Sequence, residues 1–380
     1  NDLMKIEIFT AFSHELEEIW REFETEAVGT PFQSYAWLSH WQNTVGSPLH
    51  SIQPQLVIVR DEIETLAVFP LGIRNVLGVS ILEWLGGLHS DYMGPLLNEE
   101  WENMEKDFPL CWKNILKNVS SFDVIHFQKQ KEYIGSFQNP FVSSTNCENI
   151  IFAYHVNLKN SWKEHYEKTI KTKLRTESRR QRRRLADMGK LCFEVVEDKG
   201  TKKRIINKMI DQKSRRYRDT CAWDMLSVLE HKVFYEKLAD ITDDSLKIHC
   251  AELCVGETTI ATHVGLVDQS TFYYLIPAHE GGNWERYSPG RLLLEHLLEW
   301  SIQNKLKVFD FTIGGEHYKK DWCDTETPLF EILKPFTLKG KMYVMAQHTK
   351  QTVKDIPWLG KQAKQFNSWL INKGVLPNKT

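Results

Sequence analysis

Paired cysteines, long apolar runs and internal repeats are all missing from this chain of 380 residues. Its seven cysteines form no CxxC pair, which argues against a zinc or disulfide framework, and we expect no bound metal. No stretch approaches the roughly 20 apolar residues that a membrane-spanning helix needs. The first residues, NDLMKIEIF, lack the charged-then-apolar layout of a signal peptide, so we expect a cytoplasmic protein.

Positive charge is concentrated in one internal segment, although the net charge of the whole chain is only −2. Residues 159–218 contain 21 Lys and Arg against 8 Asp and Glu, which leaves the rest of the chain acidic. Nucleic-acid binding segments usually interleave aromatic residues with their cations, and residues 168–186 contain none. We interpret the segment as a charged helical arm or a wall facing an anionic substrate, with a simple solvated helix as the alternative.

The first half of the chain alternates short strands and helices. Residues 4–9 alternate like a strand, and Ser13 caps a predicted helix that ends near Phe23. The strands 55–60 and 65–73 flank a predicted hairpin turn. We predict an N-terminal domain over residues 1–157, of mixed α/β type with a largely antiparallel sheet.

A second domain is predicted over residues 158–346. It begins with the basic helical arm, at about 161–188, and continues with a strand, two helices and a three-strand meander that ends at 271–276. A helix and a strand follow the meander, and 329–336 and 341–346 are predicted as closing strands. A weakly amphipathic helical tail, 347–380, completes the chain.

The stretch from Thr271 to Trp322 is the clearest candidate for a ligand site. A buried strand is predicted to end at Pro277, because proline cannot donate to a strand ladder. A polar loop leads to a helix that opens with a serine cap and a proline in its first turn. This order of strand, turn and helix presents backbone N–H groups to a phosphate. The predicted phosphate cradle, with an ordinary capped helix start as its alternative, comprises Ser288, Pro289, Gly290 and Arg291, with Arg286 reaching toward it.

Several segments resemble a known family of transferases. From Leu191 onward the order of elements is similar to the GCN5-related N-acetyltransferase (GNAT) fold. The segments SPGRLLLEHLLEW and FDFTIGGEHYKKDW look like the CelD-type, or BioF2-like, acyltransferase family. In the first half, PFQSYAWLSHW and SDYMGPL also resemble that family and the related FemAB-type transferases, which carry two such domains in tandem.

The resemblance spans about residues 30–340 and implies two tandem GNAT-like domains. It implies acetyl-CoA or another acyl-CoA as co-substrate, attacked directly by the amine of an amino sugar or of a cell-envelope or polysaccharide precursor. One motif departs from the usual pyrophosphate loop of acetyltransferases, Q/R-x-x-G-x-G/A. Here Arg286 is followed by Tyr-Ser-Pro-Gly-Arg, so Pro289 stands where a glycine would donate an N–H group.

Candidate catalytic side chains cluster around the end of the predicted strand 307–311. Asp310 lies between two phenylalanines, where an unpaired charge would be costly, so it is either a catalytic acid or the buried partner of a basic side chain. Glu316, Tyr318 and Lys319 follow two glycines, beyond the strand end at which α/β proteins bind ligands.

Further candidates come from the meander and the second basic helix. His263 is a lone polar side chain in an apolar strand, and its alternative is a satisfied core histidine. Tyr273 and Tyr274 point to opposite faces of the strand before the cradle, so one of them is a candidate acid facing the thioester, and Tyr274 is the candidate to contact the donor. In the family, an Arg and a Trp after the second helix help to form the acceptor site. The matching positions are Arg215 or Arg216 and Trp223.

Two other functions remain open at the level of sequence. A FemAB-like aminoacyl transfer from charged tRNA would use the basic segment 168–218 to hold RNA. A non-catalytic binding module is the other, since Pro289 weakens the cradle. No residue identifies the acceptor, the acyl length or the oligomeric state.

Overall fold

A computed structural model gives the fold and describes residues 4–99, 101, 107–143, 148–243, 246–314 and 317–354. The chain divides into two compact units. The first unit is Asn1–Ile151 with Pro328–Thr380, and the second unit is Phe152–Thr327. The predicted boundary near residue 157 lies close to this division, but residues 328–346 group with the first unit instead of the second.

The strands and helices of the described chain have the following bounds. The strands are β1 (Lys5–Phe9), β2 (Gln53–Arg60), β3 (Thr65–Val76), β4 (Val79–Trp84), β5 (Leu96–Leu97), β6 (Val124–Lys131), β7 (Tyr133–Ile134), β8 (Phe137–Gln138), β9 (Glu148–Asn157), β10 (Leu191–Val196), β11 (Lys247–Val255), β12 (Thr258–Val267), β13 (Thr271–His279), β14 (Val308–Ile313) and β15 (Thr325–Pro335). The α-helices are α1 (His14–Glu24), α2 (Tyr35–Trp41), α3 (Ser47–His50), α4 (Phe108–Asn118), α5 (Pro140–Ser143), α6 (Trp162–Lys168), α7 (Thr172–Ala186), α8 (Lys199–Asp219), α9 (Leu229–Glu236), α10 (Pro289–Gln303) and α11 (Leu338–Lys354).

In the first unit the strand order is β1-β2-β3-β4-β6-β15, with β5 also on β3. The pair β4–β6 is parallel, and the other strand pairs described in this sheet are antiparallel. Aromatic side chains fill the space between the sheet and α4. Trp84 stacks on Phe127 with ring centroids 4.5 Å apart, and Phe141 meets Trp112 edge-on at 4.8 Å. These rings pack on one face of the sheet and form the core of the first unit.

In the second unit the strand order is β9-β14-β13-β12-β11-β10. Here the pair β13–β14 is parallel, and the other recorded pairs are antiparallel. The core lies between the sheet and α10, where Phe272 stacks on Phe309 with centroids 4.8 Å apart. Leu293 and Leu297 of α10 are fully buried in the same cluster. The predicted mixed α/β fold with mostly antiparallel sheets is therefore confirmed.

Two local predictions were wrong. Residues 341–346 are not a strand but part of α11, which begins after Thr337. The Thr337 hydroxyl accepts the Gly340 N–H at 3.0 Å, and such a local cap favours a helix start over a hairpin turn. The single predicted helix 162–188 is two helices, α6 and α7. None of the helices in the described ranges is long and apolar enough to cross a membrane.

Candidate active site

The parallel strands β13 and β14 part toward their carboxyl ends. Their pairing covers Thr271 with Val308, Phe272 with Phe309, and Tyr273 with Asp310. Both strands are described throughout, and no pairing between them is found beyond these residues, although β13 runs on to His279. A gap therefore opens at the sheet edge where open α/β sheets bind their ligands.

Pro277 does not end β13, contrary to the prediction. The carbonyl of Pro277 accepts from Lys213 Nζ at 3.3 Å, and that of His279 accepts from Arg215 Nη2 at 2.8 Å. These alternate residues therefore turn their backbone polar groups away from β12. The missing N–H of Pro277 falls on the side where β14 has already parted, so no ladder hydrogen bond is lost.

A β-bulge lies beside the gap. Val264 pairs with Ile276 and Leu266 pairs with Tyr273, so two residues of β13, 274 and 275, stand opposite Gly265 alone. A side chain cannot replace this glycine easily, because a Cβ atom would lie 2.3 Å from the Tyr273 carbonyl oxygen. Bulges re-aim the backbone and leave a residue unpaired, and they are common next to active sites.

The predicted cradle forms the start of α10, but its donors are few. Ser288 adopts a left-handed conformation, with φ 52°, and its side chain makes no cap hydrogen bond, so the predicted serine cap is wrong. The Ser288 carbonyl accepts from Arg291 N at 3.1 Å and from Leu292 N at 3.2 Å. Pro289 has no N–H group. The amide of Gly290 is thus the first-turn donor for which no acceptor is found in the described chain.

The arginines of the cradle have different surroundings. Arg291 Nη1 lies 2.9 Å from Glu177 Oε2 in an ion pair, which already balances its charge. Arg286 is exposed and lies over the Tyr287 ring at 5.1 Å. Of the two, Arg286 keeps the greater freedom to meet an anion. Tyr274, predicted to contact the donor, is only 3% exposed.

Asp310 and Lys319 stabilise a kink at the end of β14. Thr312 has φ 58°, a left-handed conformation that is costly for a β-branched residue. Asp310 Oδ1 accepts the Thr312 N–H at 2.7 Å. Lys319 Nζ donates to the carbonyls of Phe311 at 3.0 Å and Ile313 at 2.7 Å. Because Asp310 is 5% exposed and Lys319 4%, the geometry is that of two buried positioning residues.

Neighbouring ionisable groups feel this buried environment. Burial raises the pKa of the Cys323 thiol to about 12, with Lys319 opposing and Asp310 reinforcing that shift. Burial, followed by the charges of Asp268 and Asp310, raises the pKa of Tyr273 well above its ordinary value. The Tyr273 hydroxyl donates to Asp268 Oδ2 at 2.9 Å. The tyrosine therefore stays protonated, and the cysteine is a poor nucleophile at neutral pH.

The remaining catalytic candidates are placed differently. Tyr318 is 38% exposed just beyond β14, while Glu316 lies outside the described residues. His263 is completely buried, stacked on Tyr274 with centroids 4.8 Å apart and an interplanar angle of 6°. Burial, with a smaller contribution from His249, holds the pKa of His263 well below its ordinary value. His263 is therefore a neutral side chain within the core.

A charged network that sequence reasoning missed joins α8 to the end of β13. Its centre is Glu280, which accepts from Gln212 Nε2 at 3.2 Å, lies 2.8 Å from Lys208 Nζ, and pairs with Arg215 Nη1. Burial opposes ionisation of Glu280, but these partners together hold its pKa below the ordinary value. A glutamate directly after an apolar strand is the signal in the sequence, and its partner helix emerges only from the fold.

The predicted acceptor residues separate along α8 and the segment after it. Arg215 is engaged with Glu280 and with the His279 carbonyl. Arg216 is exposed, yet close enough to lower the pKa of His279. Trp223 is half-buried, with its ring perpendicular to that of His231 at 6.4 Å. The structure therefore brings both arginines to the end of β13.

The basic helix α7 is packed on α10. Glu295, fully buried in α10, accepts from Ser178 Oγ at 2.5 Å and from Arg182 Nη2 at 2.6 Å. Burial raises the pKa of Glu295 and outweighs the opposing effect of Arg182. The other side of α7 carries exposed cations, namely Lys173, Arg179, Arg180, Arg183 and Arg184. The predicted arm is thus docked along one side and solvated along the other.

Residues 172–320 match the family model described as Acetyltransferase (GNAT) domain, and this range contains the parting strands, the bulge and the cradle. A search of curated proteins finds no match. Among solved structures the fold is similar to that of FemX, with 10% identity, a TM-score of 0.62 and coverage of 90% of this chain and 99% of that one.

Two further structures share the fold. L-PGS from Bacillus licheniformis is 12% identical with a TM-score of 0.51, covering 90% of this chain and 98% of its own. The C-terminal domain (DUF2156) of a putative lysylphosphatidylglycerol synthetase from Agrobacterium fabrum is 11% identical with a TM-score of 0.50, covering 87% and 95%. Residues 172–320 therefore match a GNAT acetyltransferase domain model in sequence, and the chain is similar in fold to these three structures.

Proposed function

We propose that this protein is an acyl-CoA-dependent N-acyltransferase that transfers an acyl group, acetyl in the simplest case, to an amine. The observation that carries the proposal is the gap between β13 and β14 inside the matched domain. The helix α10 begins just after β13 and its loop, with the Gly290 amide at its start. A long, thin thioester donor with phosphates at one end suits a gap between two strands beside a helix start.

The donor would lie along β13. Its pyrophosphate would rest at the start of α10, where the Gly290 N–H and the helix dipole favour an anion. Its pantetheine arm would follow the edge of β13 beyond Tyr273, from which β14 has parted. The backbone at the bulge, residues 274 and 275, is then the proposed site for the thioester carbonyl oxygen.

The proposed reaction is direct attack of the acceptor amine on the thioester carbon. A C–N bond forms and the C–S bond breaks, the amine loses one proton, and the departing thiolate takes one up. Tyr318, an exposed phenol just beyond β14, is the proposed source of the proton for the thiolate. Asp310 and Lys319 would act through the kink that they hold, and Glu316 is a further candidate base.

The proposed acceptor is an amino sugar or a cell-envelope or polysaccharide precursor, which rests on the family resemblance. Exposed Arg216 and Arg218, at the end of α8, suit an acceptor that also carries a phosphate or carboxylate. Trp223, half-buried in the segment after α8, offers a ring on which a sugar could pack.

Binding of the donor is the decisive test. Isothermal titration of the wild type with CoA and acetyl-CoA is expected to show binding, and Gly290→Asp is expected to weaken it by at least about a hundredfold, because a carboxylate would face the phosphates. Gly200→Asp, which adds the same charge to the first turn of α8, is the matched control and should bind normally. Absence of binding by the wild type would overturn the proposal.

A second candidate is aminoacyl transfer from charged tRNA. The exposed cations on the outer side of α7 favour it, since such a row can neutralise successive phosphates. Filter binding of tRNA at several salt concentrations, with wild type and Arg179→Glu/Arg183→Glu, tests it. A steep loss of affinity with salt, weaker in the variant, would favour tRNA over CoA as the donor carrier.

A further inference from the structure

The backbone at the start of α10 has few N–H groups that could bind an anion. Pro289 has no N–H group, and the amides of Arg291 and Leu292 both donate to the Ser288 carbonyl. Helix starts that bind phosphates usually supply several N–H groups, whereas this one supplies the amide of Gly290. A donor held here needs another hydrogen-bond donor close to that amide.

The imidazole of His279 lies against Gly290. A Cβ atom built on Gly290 would be 3.2 Å from Cδ2 of His279 and 4.0 Å from its Nε2. The edge of the ring that carries Nε2 therefore faces the first turn of α10. His279 is the last residue of β13, so it stands where the strand edge meets the cradle.

The opposite edge of the ring is fixed by the backbone. Nδ1 of His279 lies 2.9 Å from the Glu280 carbonyl oxygen. A carbonyl can only accept, so Nδ1 carries the proton of the neutral ring and Nε2 is the unprotonated nitrogen. No hydrogen bond to Nε2 is found in the ranges that the structure describes. In its neutral form the ring would thus present a lone pair to an arriving phosphate.

The charges around His279 come from three sides. Burial is the main cause that holds its pKa below the ordinary value, and Arg216 and Lys213 on α8 lower it further. The Glu280 carbonyl and Glu285, in the loop before α10, oppose that shift. On α10 itself the charge of Arg291 is balanced by Glu177 of α7. An anion added beside Gly290 would shift this balance toward the protonated ring.

We propose that His279 completes the anion site, so that a phosphate of the donor is bound between the Gly290 N–H and a protonated Nε2, and binding takes up one proton from solvent. This inference rests on the proposed function and assigns the missing donor of the cradle to a side chain of the preceding strand. The chemistry recognised is a phosphate or pyrophosphate, and the thioester end plays no part in it.

Proton uptake is measured by isothermal titration of the full chain with CoA, and separately with inorganic pyrophosphate, in buffers of different ionisation enthalpy. Near neutral pH the wild type should take up about one proton with either ligand, and its affinity should fall by up to about tenfold per pH unit as pH rises. His279→Gln, which can donate an N–H but does not titrate, should bind CoA with no proton uptake and a flat pH profile.

Two further variants complete the experiment. His279→Leu removes the donor and should weaken CoA binding about tenfold below neutral pH, since a hydrogen bond to a charged group is lost. His14→Gln, an exposed histidine of the first unit, should keep the wild-type proton uptake. Thermal unfolding of each variant shows that the fold is retained.

The outcomes separate this inference from the proposed function. If the wild type binds CoA without proton uptake, or if His279→Gln takes up as many protons as the wild type, the role of His279 is refuted and the CoA-dependent function stands. If the wild type binds neither ligand at any pH, both the role of His279 and the CoA-dependent function are refuted. Uptake with CoA but not with pyrophosphate would also overturn the assignment, because the coupling would then belong to another part of the donor.

Discussion

The two units contain the same arrangement of parallel strands, and they use it differently. In the first unit β4 and β6 pair over three residues, ending at Glu83 and His126, just as β13 and β14 end at Tyr273 and Asp310. In each unit the second strand then carries a non-glycine residue in the left-handed conformation. These are Lys129, with φ 54°, and Thr312, with φ 58°. The kink belongs to the shared arrangement and does not by itself mark a donor site.

The difference lies in what occupies the gap beyond the paired residues. In the first unit Lys129 Nζ donates to the carbonyls of Gly87 at 3.0 Å and Ser90 at 2.8 Å, which tie β6 to the segment after β4. Trp84 Nε1 of β4 also donates a hydrogen bond to Gln130 Oε1 of β6, at 3.3 Å. In the second unit the lysine that serves the kink, Lys319, donates to carbonyls of β14 itself. Lys129 links β6 to the segment after β4 and so closes the gap in the first unit. The two hydrogen bonds of Lys319 given above lie within β14, and the gap in the second unit stays open.

The largest expected contrast between the units is in acid. Six histidines of the second unit have a pKa lowered chiefly by burial. The pKa falls to about 4 at His165, His231 and His296 and to about 3 at His249, and it lies well below the ordinary value at His263 and below it at His279. The unfolded chain binds their protons near pH 6.5, so stability is lost as pH falls below that value, by roughly 1.4 kcal/mol per pH unit for each group.

We therefore expect the second unit to unfold first between about pH 6 and pH 4. Pulsed hydrogen exchange at neutral pH, after brief incubation in acid, measures which unit has opened. His249→Phe should reduce the slope, because one buried neutral imidazole is removed. Earlier opening of the first unit would contradict the expectation.

A smaller effect is expected from the two lysines. Lys319→Met leaves two carbonyls at the kink of β14 without their donor and should cost about 2–4 kcal/mol of stability, with CoA affinity lowered about tenfold. Lys129→Met should destabilise the first unit by about 1–3 kcal/mol and leave CoA affinity unchanged. Urea unfolding and titration calorimetry measure both. Equal loss of CoA affinity in the two variants would mean that the first unit also takes part in donor binding.

The smallest predicted effect concerns the bulge. Gly265→Ala places a Cβ 2.3 Å from the Tyr273 carbonyl oxygen, so the strand must shift, at a cost of about 1–3 kcal/mol. Gly200→Ala in α8, where a Cβ meets nothing closer than 3.4 Å, is the control and should be neutral or slightly stabilising. Thermal unfolding measures both, and acetyl transfer should fall only in Gly265→Ala. Full activity of that variant would remove the bulge from the proposed carbonyl site.

Periodicity in the sequence predicted the strands and helices but not the backbone conformations and contacts at their ends. The three-strand meander and the helix after Ser288 follow from alternating and helical spacing of apolar residues, and both are present. The kink at Thr312 could not be predicted, because it depends on Lys319 returning to carbonyls that precede it. Pro277 was misjudged for a related reason: proline ends a strand only where its N–H is needed, and a free edge does not need it.

The candidate site was predicted at the level of segments. The strand 271–276, the helix start at Ser288 and Lys319 lie where the sequence placed them, since local order along the chain brings them to one sheet edge. Their roles in binding and catalysis stay predictions. Their individual roles depend on contacts between distant residues. The pairing of Glu280 with α8 and the contact of His279 with Gly290 have no local signature, because each joins elements that are separate in sequence.

The pairing of β6 with β15 has a consequence for the order in which the protein can be built. Gln130 lies opposite Phe330, so the first unit receives a strand that is made only after the whole second unit has been synthesised. Until then β6 presents an unpaired edge, and such edges invite pairing with other chains. A nascent or truncated chain that stops before residue 328 would therefore expose this edge. Completion of the first unit has to wait for the last strand, whereas the second unit can close on itself during synthesis.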